Sequence, residues 1–338
     1  MLKINYIVRV FTGAKFKRMK EVIDIVNERS GKNKVIVFFD MIFCAIKYGA
    51  GYNDYMLFEF YAMNAKERKT YLTRLKNKKL ITSLNDEKYS EIFNRKRAFY
   101  KKFHDFLMRD VLDMEEITYD KFQKFISDKE CFIAKPDAGE GGRGIEKINV
   151  SDFSSTEELY KYITDPEKNF GLIEEVIKQH PIAAKLHPTS LNCLRVGTLV
   201  VDGEAHVLYA SFKMGVNGRH LDNLCDGGIA CHLDLDQGKI IGPGHADDFS
   251  EYDVHPTTGI KLVGYELPYA KEIKELVTKA ALVVPEFRYV GWDIGISEKG
   301  PVIIEGNDYP GWDFPQFHDK GTPRIGIIPE FEKYGVHI

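Results

Sequence analysis

The sequence predicts an α+β protein with a mainly helical N-terminal region. Three observations lead there. Residues up to about Asn94 carry apolar side chains at helical spacing, as in Phe16, Met19, Val22, Ile23 and Val26. Around Lys135 a strand, a glycine-rich loop and a second strand follow one another. Residues 291–307 alternate as two strands joined by a tight turn. At roughly 100–200 residues per domain, 338 residues make two or three units. The division expected is 1–93 for the helical region and 94–338 for the rest, with a mobile subdomain at about 118–177.

In chain order, Asn33 precedes a second apolar helix that ends near Tyr48-Gly49. Further helices are expected over Tyr55–Met63 and Lys66–Leu75. Asn94 is placed to cap a helix running to Phe103, and another helix covers Thr118–Ser127. Cys131–Lys135 reads as a buried strand, and the chain is extended again from Gly144 to Val150. A helix over Ser155–Ile163, a strand over Leu172–Ile177 and a run of strands from Leu191 to Ile241 follow. Pro268–Val284 is the last long helix before the hairpin.

Composition excludes several classes. The chain is 44% hydrophobic and 29% charged with a net charge of -3, ordinary for a globular protein. Near-balanced charge argues against nucleic acid as an obligate partner, and the basic stretch Lys66–Lys79 reads as a solvated helix face. Cys44, Cys131, Cys193, Cys225 and Cys231 form no C-x-x-C pair, which points to free thiols in a reducing compartment. Cys225, Cys231 and His232 fit no usual zinc spacing. No signal-peptide profile opens the chain. The longest apolar run, Val35–Ile46, is broken by Asp40 and falls short of the ~20 residues a bilayer span needs. The expected location is cytoplasmic.

Two motifs carry the chemistry. In the C-terminal hairpin, Asp293 and Glu305 both lie six residues from Lys299 at the turn centre, so they should face each other or miss by one register step. Trp292, Ile294 and Ile296 alternate with Asp293, Gly295 and Ser297, as in a half-buried strand; Val302 and Ile304 should share one face, and Ile303, Glu305 and Asn307 the other. Asp293, Glu305 and Asn307 then offer three hard oxygen donors without His or Cys, a set suited to Mg2+ with substrate phosphates completing its shell. The alternative is a solvated acidic hairpin.

The second motif is Lys135-Pro-Asp-Ala-Gly-Glu-Gly-Gly-Arg-Gly144, whose unshielded backbone N–H groups suit phosphate. Gly139, Gly141 and Gly144 match a dinucleotide fingerprint in spacing, but a strand follows where that fingerprint needs a helix. The Gly-Lys-Ser/Thr of the P-loop is missing, and so are the His-Arg-Asp and Asp-Phe-Gly of protein kinases. A surface turn fits less well, because Lys135 ends an apolar strand.

Together these motifs resemble the ATP-grasp superfamily of carboxylate–amine ligases, typified by D-alanine–D-alanine ligase. The resemblance covers about Asn94 to the C-terminus. With Tyr48-Gly-Ala, Glu174-Glu-Val-Ile-Lys-Gln-His-Pro181 and Pro188-Thr-Ser-Leu-Asn-Cys-Leu-Arg195, the whole chain is most similar to the sugar-transfer-associated ATP-grasp family. The resemblance implies the ATP-grasp fold, in which two α+β subdomains clamp ATP between antiparallel sheets. It implies Lys96 and Lys135 as phosphate contacts, with Lys101 or Lys102 as alternatives to Lys96. Gly139, Gly141, Gly142, Arg143 and Gly144 would close over the phosphates. Glu174, Glu175, Val176 and Ile177 would meet adenine, and Gln179 or His180 stands near the place of a ribose contact. Arg195 and Lys213 would act on the transferring phosphate, Arg195 having a structural ion pair as its other reading. Asp293, Glu305 and Asn307 would bind two Mg2+, with Mn2+ able to substitute.

The implied activity is ligation of a carboxylate to an amine through an acyl phosphate, on small-molecule substrates or a sugar or glycan acceptor, in surface polysaccharide or sugar modification. A phosphotransferase acting on a hydroxyl and a nucleotide-binding module without turnover are the alternatives. The N-terminal region would cap the acceptor site.

Overall fold

The computed structural model describes residues 16–139, 143–218, 222, 227–248, 250–319 and 321–338. The chain forms two units, one of residues up to Ser83 together with Gly311–Ile338, the other Leu84–Pro310.

The first unit is helical. Helices α1 (Phe16–Ser30) and α2 (Lys34–Tyr48) are joined by three residues. The ends of α2 follow from local chemistry. The Asn33 side chain accepts from the Val35 N–H, and Gly49 closes the helix at φ 68°, a conformation that costs a glycine nothing. Helices α3 (Tyr52–Leu57), α4 (Ala65–Thr70) and α5 (Arg74–Leu84) follow. The two helices expected over Tyr55–Met63 and Lys66–Leu75 are thus each interrupted. Buried Arg68 grips the main chain across the first break, donating to the Phe60 carbonyl, while its guanidinium forms two hydrogen bonds, 2.8 and 2.7 Å, with Asp40.

The second unit contains two antiparallel sheets. The smaller has strand order β1-β4-β2-β3, formed by β1 (Val111–Asp113), β2 (Cys131–Pro136), β3 (Glu146–Asn149) and β4 (Phe170–Glu175). Its core of Phe122, Phe125, Phe132, Leu159 and Ile173 includes residues of α8 (Tyr119–Ile126) and α9 (Thr156–Ile163), which Thr118 and Ser155 cap.

The larger sheet contains β5 (Cys193–Val201), β6 (Glu204–Met214), β7 (Ile229–Asp234), β8 (Lys239–Ile240), β9 (Gly244–Ala246), β10 (Glu251–Tyr252), β11 (Tyr289–Ser297) and β12 (Gly300–Asn307). They run in the order β10-β9-β7-β6-β5-β11-β12, with β8 on β7. Val277 and Ala280 of α10 (Ala270–Ala281) and Phe99 and Phe103 of α7 (Lys96–Phe103) belong to its core. The expected α+β architecture with a helical N-terminal region is the one observed.

The hairpin departs from expectation in two ways. Every residue of β11 is buried, not every second one, because β5 and β12 flank it and both faces are covered. A bulge leaves Ile304 unpaired: Asp293 faces Glu305, but Ile294 faces Ile303. Val302 therefore sits opposite Gly295 on the Asp293 side, and Ile303 belongs to the other face. This reverses the expected faces for that half of the strand.

Asn94 does not cap α7. It ends a short preceding helix, α6 (Ser90–Asn94), and its amide donates to Asp308 at 2.7 Å. The start of α7 is served by a distant residue. The Lys96 N–H donates to the Asp137 carbonyl at 2.9 Å and the Arg97 N–H to the Asp137 carboxylate at 3.0 Å. An anion at a helix N-terminus satisfies orphan donors and meets the positive end of the dipole.

Candidate active site

The site begins as a row across the larger sheet. Register places Ser211, Arg195, Asp293 and Glu305 side by side on β6, β5, β11 and β12. Directly paired residues share a face, so the three charged side chains converge. Lys213, two residues beyond Ser211, and Asn307, two beyond Glu305, lie on that same face. Opposite Asn307 stands Gly291, where an added Cβ would sit 3.3 Å from Arg195 Cδ and 3.1 Å from Pro310 Cβ. A glycine here leaves room for the arginine stem.

Charges in this row are buried and paired. Arg195 donates to both Asp293 oxygens, at 2.6 and 3.0 Å, and Lys213 approaches at 3.5 Å. Burial alone would raise the Asp293 pKa, but Arg195 and Lys213 outweigh it and hold the carboxylate well below its ordinary range. Glu305 shifts upward, first through burial and then through the adjacent Asp293 charge. Burial works to discharge Lys213, yet Asp293 and Asp222 keep its pKa raised, so it stays protonated.

The smaller sheet supplies the facing group. Lys135 on β2 pairs with Glu174 on β4, and Arg109 takes the same carboxylate at 3.0 Å. Burial opposes ionisation of Glu174, but the two cations pull its pKa down to about 2. Arg109 also donates to the carbonyls of Ile303, at 2.6 Å, and Ile304, at 3.4 Å. It thereby satisfies the backbone that the bulge frees and ties the two sheets together. The Lys96 ammonium donates to the Gly139 carbonyl at 2.9 Å; burial lowers its pKa.

Between these groups lies a cavity of about 580 Å3, a size usual for a small-molecule or cofactor site. Lys96, Lys135, Gly139, Arg143, Glu174, Arg195, Lys213, Asp293, Glu305 and Asn307 all line it. Gly144, at φ 73°, and Gly139, at φ 137°, take conformations that favour glycine, and only Gly139 reaches the cavity wall. Gly141 and Gly142 lie outside the described residues. Glu175, Val176 and Ile177 are not among the lining residues. Glu175 instead exchanges hydrogen bonds with Asp110, its N–H donating at 2.9 Å and its carboxylate accepting at 3.2 Å. Lys101 pairs with Asp113 and Glu116 away from the cavity.

Sequence reasoning missed Arg109, Asp222, Asp308 and Tyr309, which also line the cavity. Asp222 accepts from the Cys193 N–H at 3.0 Å and lies 3.8 Å from Lys213. None sits in a motif, so only the long-range pairing could have marked them.

Among the described residues no group of three or more His, Cys, Asp or Glu side chains is arranged to hold a metal. The oxygen set here has two carboxylates and an amide, and it fits Mg2+ on two observations. Glu305 shifts upward because it is buried and then because it lies against the Asp293 charge, and a divalent cation would offset both. The Asn307 amide N–H is committed to the Gly291 carbonyl at 3.1 Å, which turns its oxygen to the role of acceptor. Mg2+ is typically held by one or two carboxylates plus substrate phosphates.

A family model described as sugar-transfer associated ATP-grasp matches residues 75–324. Comparison with curated proteins gives no match. Among solved structures, the chain is similar to D-alanyl-alanine synthetase A from Vibrio cholerae, at 14% identity over 74% of this chain and 62% of that one, with a TM-score of 0.40. It is similar to the ATP-grasp ligase PsnB complexed with a minimal precursor, at 16% identity over 78% and 67%, TM-score 0.41. It is also similar to D-cycloserine synthetase DcsG, at 11% identity over 71% and 70%, TM-score 0.40. The chain thus spans less than two thirds of the first of these. Among the described residues, no helix is long and apolar enough to cross a membrane.

Proposed function

The chain belongs to the sugar-transfer associated ATP-grasp family, and from that premise we propose that it is an ATP- and Mg2+-dependent ligase joining a carboxylate to an amine. The observation that carries this reading is a single cavity with cations on both sheets and an Asp-Glu-Asn oxygen set on one of them. Such an arrangement suits phosphoryl transfer, where catalysis is positioning and electrostatic stabilisation.

In the proposed reaction a substrate carboxylate oxygen attacks the γ-phosphorus of ATP and the bond to the β-phosphate oxygen breaks, releasing ADP. The amine nitrogen then attacks the acyl phosphate carbonyl, loses a proton, and phosphate departs. Lys96, Lys135 and Arg143 bind the polyphosphate, and Arg195 and Lys213 face the group in transfer. Asp293, Glu305 and Asn307 would hold Mg2+, which supplies charge neutralisation on the phosphate oxygens. Direct transfer between substrates is supported by the state of Cys193, a thiol on the cavity wall. Burial pushes its pKa well above the ordinary value, followed by the nearby Asp222 charge, so it is no thiolate nucleophile. The loop carrying Gly139 and Arg143 serves to exclude water, which would hydrolyse the acyl phosphate. The family's association with sugar transfer supports a sugar or glycan as one substrate, in surface polysaccharide or sugar modification.

Incubation with ATP, Mg2+, hydroxylamine and pools of carboxylic acids tests the proposal. A hydroxamate formed together with ADP supports it. A stable phosphoester without free phosphate would instead indicate a phosphotransferase, and ATP binding without ADP under every acceptor would indicate a module without turnover.

A further inference from the structure

Helix α2 has a second apolar face that none of the described residues covers. Its buried side holds Val37, Met41, Cys44, Ala45 and Tyr48. Its opposite side holds Val35, Ile36, Phe39, Phe43 and Ile46, each between 46% and 64% exposed. At 3.6 residues per turn these five fall within about 100° of arc, a continuous stripe. The single acidic residue of the helix, Asp40, is withdrawn from the stripe by its two bonds to Arg68. Lys47 closes the stripe at its finish, with its ammonium 5.0 Å from the Phe43 ring centre; Lys34, at the start of the helix, pairs with Asp24 at 2.6 Å. Among the described residues nothing covers this second apolar face.

Charge identifies the cover. Residues 1–83 contain 17 Lys and Arg against 7 Asp and Glu, a net charge of +10. Residues 84–338 contain 30 against 43, a net charge of -13. The near-neutral total hides this division. We propose that the outer face of α2 docks on an anionic membrane surface, the stripe entering the headgroup boundary and Lys47, with the exposed Lys17 and Lys20 of α1, meeting the lipid charges.

Both halves of an interfacial helix are present, an apolar stripe and a lysine, Lys47, whose stem reaches along it. At 1.5 Å per residue, 15 residues extend about 22 Å, too short to span and suited to lying flat. A second copy is a poorer occupant, because residues 16–83 carry 14 Lys and Arg against 7 Asp and Glu, and two copies would set like charge against like. The inference goes beyond ligation and does not depend on it.

Co-sedimentation of the full chain with vesicles tests it. At about 0.1 M salt the chain binds phosphatidylcholine vesicles containing about one third phosphatidylserine at least roughly tenfold more tightly than phosphatidylcholine alone. The pair Phe39→Asp and Phe43→Asp, or Phe39→Ser and Phe43→Ser should either aspartate variant fail to fold, removes that binding while circular dichroism and nucleotide turnover stay at the parental level. Lys47→Glu weakens binding to the anionic vesicles only. Equal binding by parent and variants overturns the proposal. A dimer that the Phe39 and Phe43 variants dissolve, with no vesicle binding, assigns the face to a second copy and overturns it too. Vesicle binding that arises only after deletion of residues 1–15 makes that segment the cover, which likewise overturns the proposal.

Discussion

Asp293→Asn is the most informative single change. Asp293 is the anion between two cations whose side chains keep only 11% (Arg195) and 5% (Lys213) exposure. Asparagine preserves the volume but removes the charge, and it offers one acceptor where Arg195 now has two bonds, at 2.6 and 3.0 Å. Lys213 keeps Asp222 at 3.8 Å, so the uncompensated charge is chiefly that of Arg195. Stranding a buried charge costs about 3–5 kcal/mol. Urea unfolding followed by tryptophan fluorescence measures it, in a Trp312→Phe background so that buried Trp292, next to Asp293, is the reporter. Adding Arg195→Met to Asp293→Asn removes the stranded cation and should recover about 1–3 kcal/mol. A loss under about 1 kcal/mol in the single variant, or no recovery in the double one, would refute this account of the pairing.

Three further outcomes follow from the same geometry. Glu305→Gln abolishes nucleotide turnover but raises metal-free stability at neutral pH, because the folded state holds the Glu305 pKa above its unfolded value and so resists ionisation. Parental stability accordingly rises as pH falls through that raised value, and the variant lacks this rise; Mg2+ protects the parent alone in thermal scans. Glu174→Gln does the opposite. With a folded pKa of about 2, Glu174 contributes stability above its unfolded value that disappears as pH falls towards 2, so parent and variant differ at pH 7 and converge in acid. Gly291→Ala presses a methyl group against Arg195 Cδ and Pro310 Cβ, at 3.3 and 3.1 Å, and is expected to lower kcat about tenfold by displacing the guanidinium, with little change in nucleotide Kd.

What the sequence made legible was local or repetitive. Helix ends were readable where one residue decides them, as at Asn33, Gly49, Thr118 and Ser155. The facing of Asp293 and Glu305 followed from counting outward from one tight turn. The bulge at Ile304 could not be counted, since it depends on Arg109 reaching two carbonyls about 195 residues further along the chain. Local rules favour Asn94 as a cap, yet Asp137 performs that role from the loop after β2. The family resemblance assigns Glu174 to adenine; in the fold its carboxylate is shared by Lys135 and Arg109. The bulge and the helix cap are polar pairings between segments distant in sequence, which periodicity and spacing do not encode.

A crystal structure of the chain with Mg2+ and a non-hydrolysable ATP analogue bears most directly on the central claim. The triphosphate is expected inside the cavity, touching Lys96, Lys135 and Arg143, with metal on Asp293, Glu305 and Asn307. Nucleotide bound elsewhere, or phosphates that leave the oxygen set without metal, would contradict it.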